Sequence, residues 1–174
     1  MKLYRFAALA LFALTAAAPA PVERGADMFE RTMLDAQNDA RAAAGVPPLR
    51  WDDRLAADAA VWADHIAETG RYEHSSWPRG SDPEGEGENL WMGSRGYFSY
   101  AEMVGGWTDE RRYFVDGTMP NLSTTGNWRD VGHYTQIIWR KTTRVGCALS
   151  SGEGMDFVVC RYASPGNMMG SRPR

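Results

Sequence analysis

The C-terminal third of the chain contains the feature that most constrains its fold, a β-hairpin signal with one cysteine in each strand. Residues 145–160 place two apolar segments on either side of the dipeptide Glu153-Gly154, which is typical of a two-residue hairpin turn. In that register Cys147 lies opposite Cys160 as a non-hydrogen-bonded pair, whose Cα atoms are close enough to be bridged. The chain has only these two cysteines. We therefore predict a disulfide between them, with two buried free thiols as the alternative.

The first twenty residues have the three-part pattern of a secretory signal. Lys2 and Arg5 are followed by an apolar run at 6–14 and then by small residues. The apolar run is too short to span a membrane comfortably, although a retained N-terminal anchor is the alternative. We predict a signal peptide at 1–20, one domain at 21–174, and a secreted or periplasmic protein. Such a compartment is oxidising, which favours the disulfide.

The charge of the chain argues against a nucleic-acid partner. The first twenty residues hold two of the 19 basic residues and none of the 22 acidic ones, so the mature chain is mildly acidic. A nucleic-acid-binding domain usually carries a basic face with interleaved aromatic side chains, and no such stripe is present. We expect any membrane association to occur only through a bound lipid.

Two helices are predicted in the first half of the chain. Apolar residues recur every three or four positions over 26–44, and Gly45 follows them as a stop signal. Asp52 is a good N-cap for a second helix that ends at Gly70. The predicted buried stripe of this second helix has four members: Leu55, Ala59, Trp62 and Ile66.

The second half of the chain combines loops, shorter helices and the hairpin. Residues 75–96 are rich in glycine and proline and predict a long surface loop. Ser99 and Glu102 match a capping box that begins a third helix, and Asp130 can cap a short fourth helix that ends at Trp139. Helices followed by a small antiparallel sheet indicate an α+β layered domain.

Two residues of this half have unusual positions for their chemistry. Glu110 lies seven residues after Met103 on the apolar stripe of the third helix, where an ionised carboxylate needs a cation, a donor or a wet cleft. A salt bridge to Arg111 or Arg112 is the alternative. His133 precedes the apolar end of the fourth helix and is expected to be partly buried, although a hydrogen-bonded core histidine is a common alternative.

Several motifs, spread in order along the chain, resemble those of one known family. They cover about residues 28–169 and resemble the CAP superfamily of cysteine-rich secretory proteins, antigen 5 and plant pathogenesis-related 1 proteins, also called SCP domains. The motifs that carry the resemblance are Gly132 to Trp139, Gly146 to Ala148, Phe157 to Asn167, Gly87 to Leu90, His74-Ser75, and Trp107 with Glu110.

The resemblance implies a fold and a site. The implied fold is a three-layer α-β-α sandwich with a small antiparallel sheet of about three strands between helices. The implied site is a central cleft holding His74, Glu88, Glu110 and His133, which in some members of the family binds zinc or another divalent cation. Without the resemblance, His74 and Glu88 would be interpreted as solvated loop residues. The chain looks like a compact, bacterial-type member with a single domain.

Three functions are compatible with this resemblance. The first is a secreted binding module whose cleft holds a metal and a small apolar ligand, such as a lipid or sterol, or a peptide. The second is a zinc-dependent extracellular hydrolase or protease, in which Glu88 or Glu110 is the candidate catalytic residue acting on a zinc-bound water. The third is a defence or virulence effector that acts through surface loops. We expect the first, with apolar contacts from a group of six residues: Trp91, Met92, Tyr97, Phe98, Met103 and Trp107.

Overall fold

A computed structural model describes residues 24–76 and 80–174 of the chain. The predicted signal peptide at 1–20 lies outside the described residues. Within those two ranges, none of the helices has the length and apolar character needed to cross a membrane.

The first two helices form where the sequence predicts them. Helix α1 spans Ala26–Ala44, and the chain leaves it through Gly45 at φ 71°, a left-handed conformation that glycine adopts without steric cost. Helix α2 spans Asp53–Thr69, and the carboxylate of Asp52 accepts hydrogen bonds from the first-turn N–H groups. Both predicted helices are therefore confirmed.

The predicted hairpin and its register are also confirmed. Strands β3 (Arg144–Gly152) and β4 (Met155–Ala163) pair antiparallel around a turn in which both central residues have positive φ. Cys147 lies directly opposite Cys160 in the register, and the two form a disulfide with a Cα–Cα distance of 4.1 Å. The two-residue turn thus sets the register of the hairpin, and this register places the two cysteines where they can form the disulfide.

The sheet contains two further strands, and one of them corrects a sequence prediction. Its order is β1-β3-β4-β2, where β1 is the short Arg50–Trp51 strand and pairs parallel to β3. Strand β2 spans Gly87–Ser94 and pairs antiparallel with β4 along its full length. The prediction of an irregular surface loop over 75–96 is therefore wrong for its second half. The sheet is mixed, with its three long strands antiparallel.

Helices cover both faces of this sheet and give the predicted three layers. Alternate residues of β4 face opposite sides: Val158 and Cys160 belong to the larger core with α1, whereas Phe157 and Val159 pack with α2. Helix α2 also approaches β3 so closely that a Cβ at Gly146 would lie 2.1 Å from a backbone nitrogen of the helix. The α-β-α class is confirmed.

The third and fourth helices are shorter than predicted. Helix α3 spans Tyr100–Thr108 and begins with the predicted capping box of Ser99 and Glu102. The chain then tightens into a 3₁₀ helix at Asp109–Tyr113. Because the α-helix ends before Glu110, this carboxylate does not continue the apolar stripe of α3 as predicted.

The start of the fourth helix differs from the prediction. A 3₁₀ turn at Trp128–Val131 leads into α4, which spans only Gly132–Ile137. Asn127 caps the 3₁₀ turn, while the carboxylate of Asp130 accepts hydrogen bonds from the side chains of Thr125 and Asn127. The predicted cap at Asp130 is therefore wrong.

Candidate functional site

A cleft of about 880 Å³ opens where the start of β2, the start of α4 and the segment after β4 meet. Three of the four predicted site residues lie on its walls. Its described lining includes His74, Glu88, Trp128, His133, Pro165, Met168 and Met169.

The first polar pair of the cleft joins the segment after α2 to strand β2. Oε1 of Glu88 lies 2.6 Å from Nδ1 of His74 and accepts a hydrogen bond from the N–H of Ser75 at 3.1 Å. The hydroxyl of Ser75 donates to Oε2 of the same carboxylate at 2.8 Å. One buried carboxylate thus fixes both the imidazole and the chain next to it.

A buried cation on the neighbouring strand β4 forms an ion pair with this carboxylate. The guanidinium of Arg161 on β4 lies 3.1 Å from Oε2 of Glu88 and 3.5 Å from Oε2 of Glu86. Burial alone would raise the pKa of Glu88, but the hydrogen bond to His74 and the charge of Arg161 lower it below its usual value. Glu88 is therefore ionised at neutral pH, although its side chain is fully buried.

The neighbouring acid behaves in the opposite way. Burial, together with the hydrogen bond and the negative charge of nearby Asp58, raises the pKa of Glu86 to about 7. Backbone N–H groups of Ser81 and Asp82 donate to this carboxyl group, so the chain before β2 folds over it. Two acids that lie two residues apart, Glu86 just before β2 and Glu88 within it, therefore differ: Glu88 is ionised at neutral pH and Glu86 has a pKa of about 7.

The second polar pair joins the 3₁₀ helix after α3 to the start of α4. Oε1 of Glu110 lies 2.5 Å from Nδ1 of His133. Oε2 accepts hydrogen bonds from the backbone N–H groups of His133 and Tyr134, at 2.9 and 3.0 Å. These are first-turn donors of α4 that have no partner within the helix. The ring of His133 also stacks on Trp107, with a centroid distance of 6.0 Å.

The tightening of the chain after α3 explains why Glu110 reaches α4. The 3₁₀ geometry at Asp109–Tyr113 turns its residues by about 120° each rather than 100°, so the carboxylate leaves the face expected for a continuous α-helix. It binds His133 and not Arg111 or Arg112, the partners of the alternative interpretation. The sequence-based prediction for Glu110 relied on a continuous helical face that the structure does not form, and its role in a site stays a prediction.

The structure thus places the four predicted site residues as two imidazole–carboxylate pairs. His74, Glu88 and His133 line one cleft, and Glu110 lies behind His133. Across residues 24–76 and 80–174, no group of three or more His, Cys, Asp or Glu side chains is gathered closely enough to hold a metal ion. Binding of one ion by all four residues stays a prediction.

The apolar part of the cleft comes from residues other than the six that the sequence predicts. Trp128, Pro165, Met168 and Met169 line it, whereas none of the six expected apolar residues does so among the described lining. Met103 and Trp107 are core residues, and Tyr97 is exposed. The family motif Phe157 to Asn167 includes Pro165 and therefore indicates a position near the cleft, but it ends before the two methionines.

Solved structures of other proteins share this architecture. NaASP2, solved with Zn2+, aligns with a TM-score of 0.66 at 24% identity and covers 82% of this chain and 83% of its own. Venom allergen-like protein 4 of Schistosoma mansoni aligns with a TM-score of 0.63 at 23% identity, covering 83% of this chain and 92% of its own. These similarities establish the fold class, an α-β-α sandwich of the CAP type.

Sequence comparison then identifies the family. The profile of the cysteine-rich secretory protein family, CAP, matches residues 34–162. Pathogenesis-related protein 1C of Nicotiana tabacum is 38% identical over 83% of this chain and 80% of its own length. Pathogenesis-related protein PRMS of Zea mays is 34% identical over 97% of this chain and 96% of its own. The chain belongs to the CAP family and is similar to plant pathogenesis-related 1 proteins.

Proposed function

We propose that this protein is a secreted binding protein whose cleft holds one divalent cation, zinc or a similar ion, between His74 and His133. The observation that carries the proposal is the matched pair of contacts in which each imidazole Nδ1 meets a carboxylate. Metal-binding histidines usually have their second ring nitrogen hydrogen-bonded to a carboxylate, which orients the ring and raises its basicity. The arrangement leaves Nε2 of each ring as the nitrogen that can bind a metal.

The donor chemistry of the cleft fits such an ion. Neutral imidazoles are good zinc ligands, and two of them leave further coordination positions for water or a bound molecule. Glu88 and Glu110 would then position the histidines rather than bind the metal directly. A bound ion would supply a positive centre able to hold an oxygen or nitrogen atom of a ligand.

A small apolar or peptide ligand is the second part of the proposal. Trp128, Pro165 and the two methionines supply apolar surface beside the histidines, and the cleft volume of about 880 Å³ is large enough for a drug-sized molecule. Apolar surface next to a polar anchor is typical of ligand-binding clefts. Secretion, predicted from the first twenty residues, is part of this proposal.

The same contacts favour binding over hydrolysis. A zinc-dependent hydrolase needs a general base within hydrogen-bonding reach of the metal-bound water. In both Glu88 and Glu110, Oε1 contacts an imidazole Nδ1. Oε2 accepts a hydrogen bond from the hydroxyl of Ser75 in the first case and from the backbone N–H of His133 in the second. The proposal therefore assigns both carboxylates to the support of the cleft.

Metal binding is tested by the zinc content of protein dialysed against excess zinc and then against buffer. We expect about one zinc per chain in the wild type, and its loss in both His74→Ala and His133→Ala. His65→Ala is the matched control, because this histidine lies on α2 and stacks on Trp62, outside the cleft. Zinc retained in either cleft variant would contradict a shared site.

Ligand binding is tested separately by titration with a fluorescent fatty acid. We expect saturable binding that weakens in Trp128→Ala and not in Tyr97→Ala, an exposed aromatic residue outside the described lining of the cleft. Equal binding by the two variants would remove the cleft as the ligand site.

A further inference from the structure

Two consecutive methionines lie on the same cleft as the two histidines. Met168 and Met169 are 49% and 63% exposed, which is unusual for large apolar side chains side by side. The methionines of the core, by contrast, are buried: Met33, Met103 and Met119.

The segment before these methionines is fixed to the helix that carries His133. Nδ2 of Asn167 donates to the carbonyl of Gly132 at 2.8 Å, and the hydroxyl of Thr135 donates to Oδ1 of Asn167 at 2.7 Å. Gly132 and Thr135 lie on either side of His133 in the chain. Asn167 therefore clamps the start of the methionine pair beside this histidine.

The segment after the methionines is fixed as well. The N–H of Gly170 donates to the carbonyl of Met119 at 3.1 Å, and the N–H of Met119 donates to the carbonyl of Ser171 at 2.9 Å. Hydrogen bonds thus hold the backbone on both sides of Met168 and Met169. The two methionine side chains therefore lie at the cleft on a backbone that is fixed on both sides.

The chemistry of this combination points to a particular ion. Thioether sulfur is a soft, uncharged ligand that favours Cu(I), and imidazole nitrogen also binds copper well. From this geometry we infer that the cleft binds Cu(I), with the thioethers of Met168 and Met169 joining the imidazoles of His74 and His133. This inference rests on the proposed function, because it uses the same two imidazoles. Zinc, a harder ion, would use the imidazoles without the thioethers.

The test replaces sulfur while keeping apolar volume. Met168→Leu/Met169→Leu is a volume-conserving double substitution, and Met92→Leu is the matched control because Met92 is 46% exposed on β2, outside the described cleft lining. Cu(I) affinity is measured without oxygen by competition with a chromophoric Cu(I) chelator. We expect the Kd for Cu(I) to rise about tenfold or more in the double variant. The Kd for zinc should change by less than about threefold, and Met92→Leu should change neither constant.

X-ray absorption at the copper edge gives a second readout. The wild type should show copper–sulfur scattering that disappears in the double variant. Unchanged Cu(I) affinity in the double variant, or copper bound only by nitrogen and oxygen in the wild type, would overturn the inference and make the methionines an apolar rim. Wild-type protein that binds zinc but not Cu(I) would overturn only this inference, whereas protein that binds neither ion would overturn the proposed function as well.

Discussion

The two imidazole–carboxylate pairs of the cleft use the same contact but hold it in different ways. In the first pair the carboxylate of Glu88 is fully buried and the side chain of His74 is 52% exposed. In the second pair both partners are half-buried, with 16% of the Glu110 side chain and 33% of the His133 side chain exposed. The first pair thus joins a buried carboxylate to an exposed imidazole. The second joins a carboxylate of the 3₁₀ helix after α3 to an imidazole at the start of α4.

The source of support for each acid explains the difference. The negative charge of Glu88 is paired with the buried guanidinium of Arg161, which also faces Glu86. Glu110 is held instead by two backbone N–H groups at the start of α4. The charge of Arg161 in the sheet therefore stabilises the half of the cleft that contains Glu88. Backbone donors at the start of α4 stabilise the half that contains Glu110. Variants can separate the two halves.

The largest expected effect is on the first half of the cleft. Arg161→Met removes a buried guanidinium that faces two buried carboxyl groups, and we expect a loss of about 3–5 kcal/mol in the free energy of unfolding at pH 8. Arg144→Met is the control, because this arginine pairs with Asp52 and Asp82 but its side chain is 34% exposed. We expect the control to lose about 1 kcal/mol or less. Urea unfolding measures both, and similar losses in the two variants would contradict a special role for the buried cation.

The second effect concerns Glu86 and the pH dependence of stability. Its pKa in the folded protein is about 7, above the ordinary value of 4.5, so folding favours the protonated form. Its contribution to stability is therefore fully present below pH 4.5 and is lost as pH rises through 7, by about 3 kcal/mol. Glu86→Gln keeps an uncharged side chain of the same size, so the variant should lose less stability than the wild type between pH 5 and pH 8. Parallel stability curves for the two proteins over that range would show that Glu86 does not titrate as described.

A smaller and sharper comparison replaces each carboxylate by its amide. Glu88→Gln and Glu110→Gln should each weaken zinc binding by about ten- to a hundredfold, because a neutral amide supports a metal-binding imidazole less well. Only Glu88→Gln should also lower the stability of the zinc-free protein. In Glu110→Gln the carbonyl oxygen of the new amide could still accept both backbone N–H groups. Calorimetric zinc titration and thermal unfolding separate the two effects, and equal stability losses would indicate that the two halves of the cleft are held alike.

Local rules of sequence predicted a large part of this fold. The two-residue turn set the register of β3 and β4, and that register alone brought Cys147 opposite Cys160. The Asp52 cap and the two terminal glycines gave the bounds of the first two helices. Each of these signals acts over a few residues, so neighbours in sequence were sufficient.

The missed elements depend on partners far along the chain. Strand β2 contains glycine, an acid and an amide, and β4 supplies partners for the two polar side chains: Arg161 for Glu88 and the hydroxyl of Tyr162 for Asn89. The start of α4 receives a carboxylate from Glu110, more than twenty residues earlier, so no local cap signal marks it. The methionine pair lacked a signal for the same reason, because its place beside His133 depends on the Asn167 clamp.

The most direct test of the central claim is the position of a metal in crystals grown with zinc, located from anomalous scattering at the zinc edge. We expect one peak in the cleft, about 2.0–2.1 Å from Nε2 of both His74 and His133, with Glu88 and Glu110 still bound to the Nδ1 atoms. Separate peaks on the two imidazoles, or a peak bound directly by the carboxylates, would contradict it.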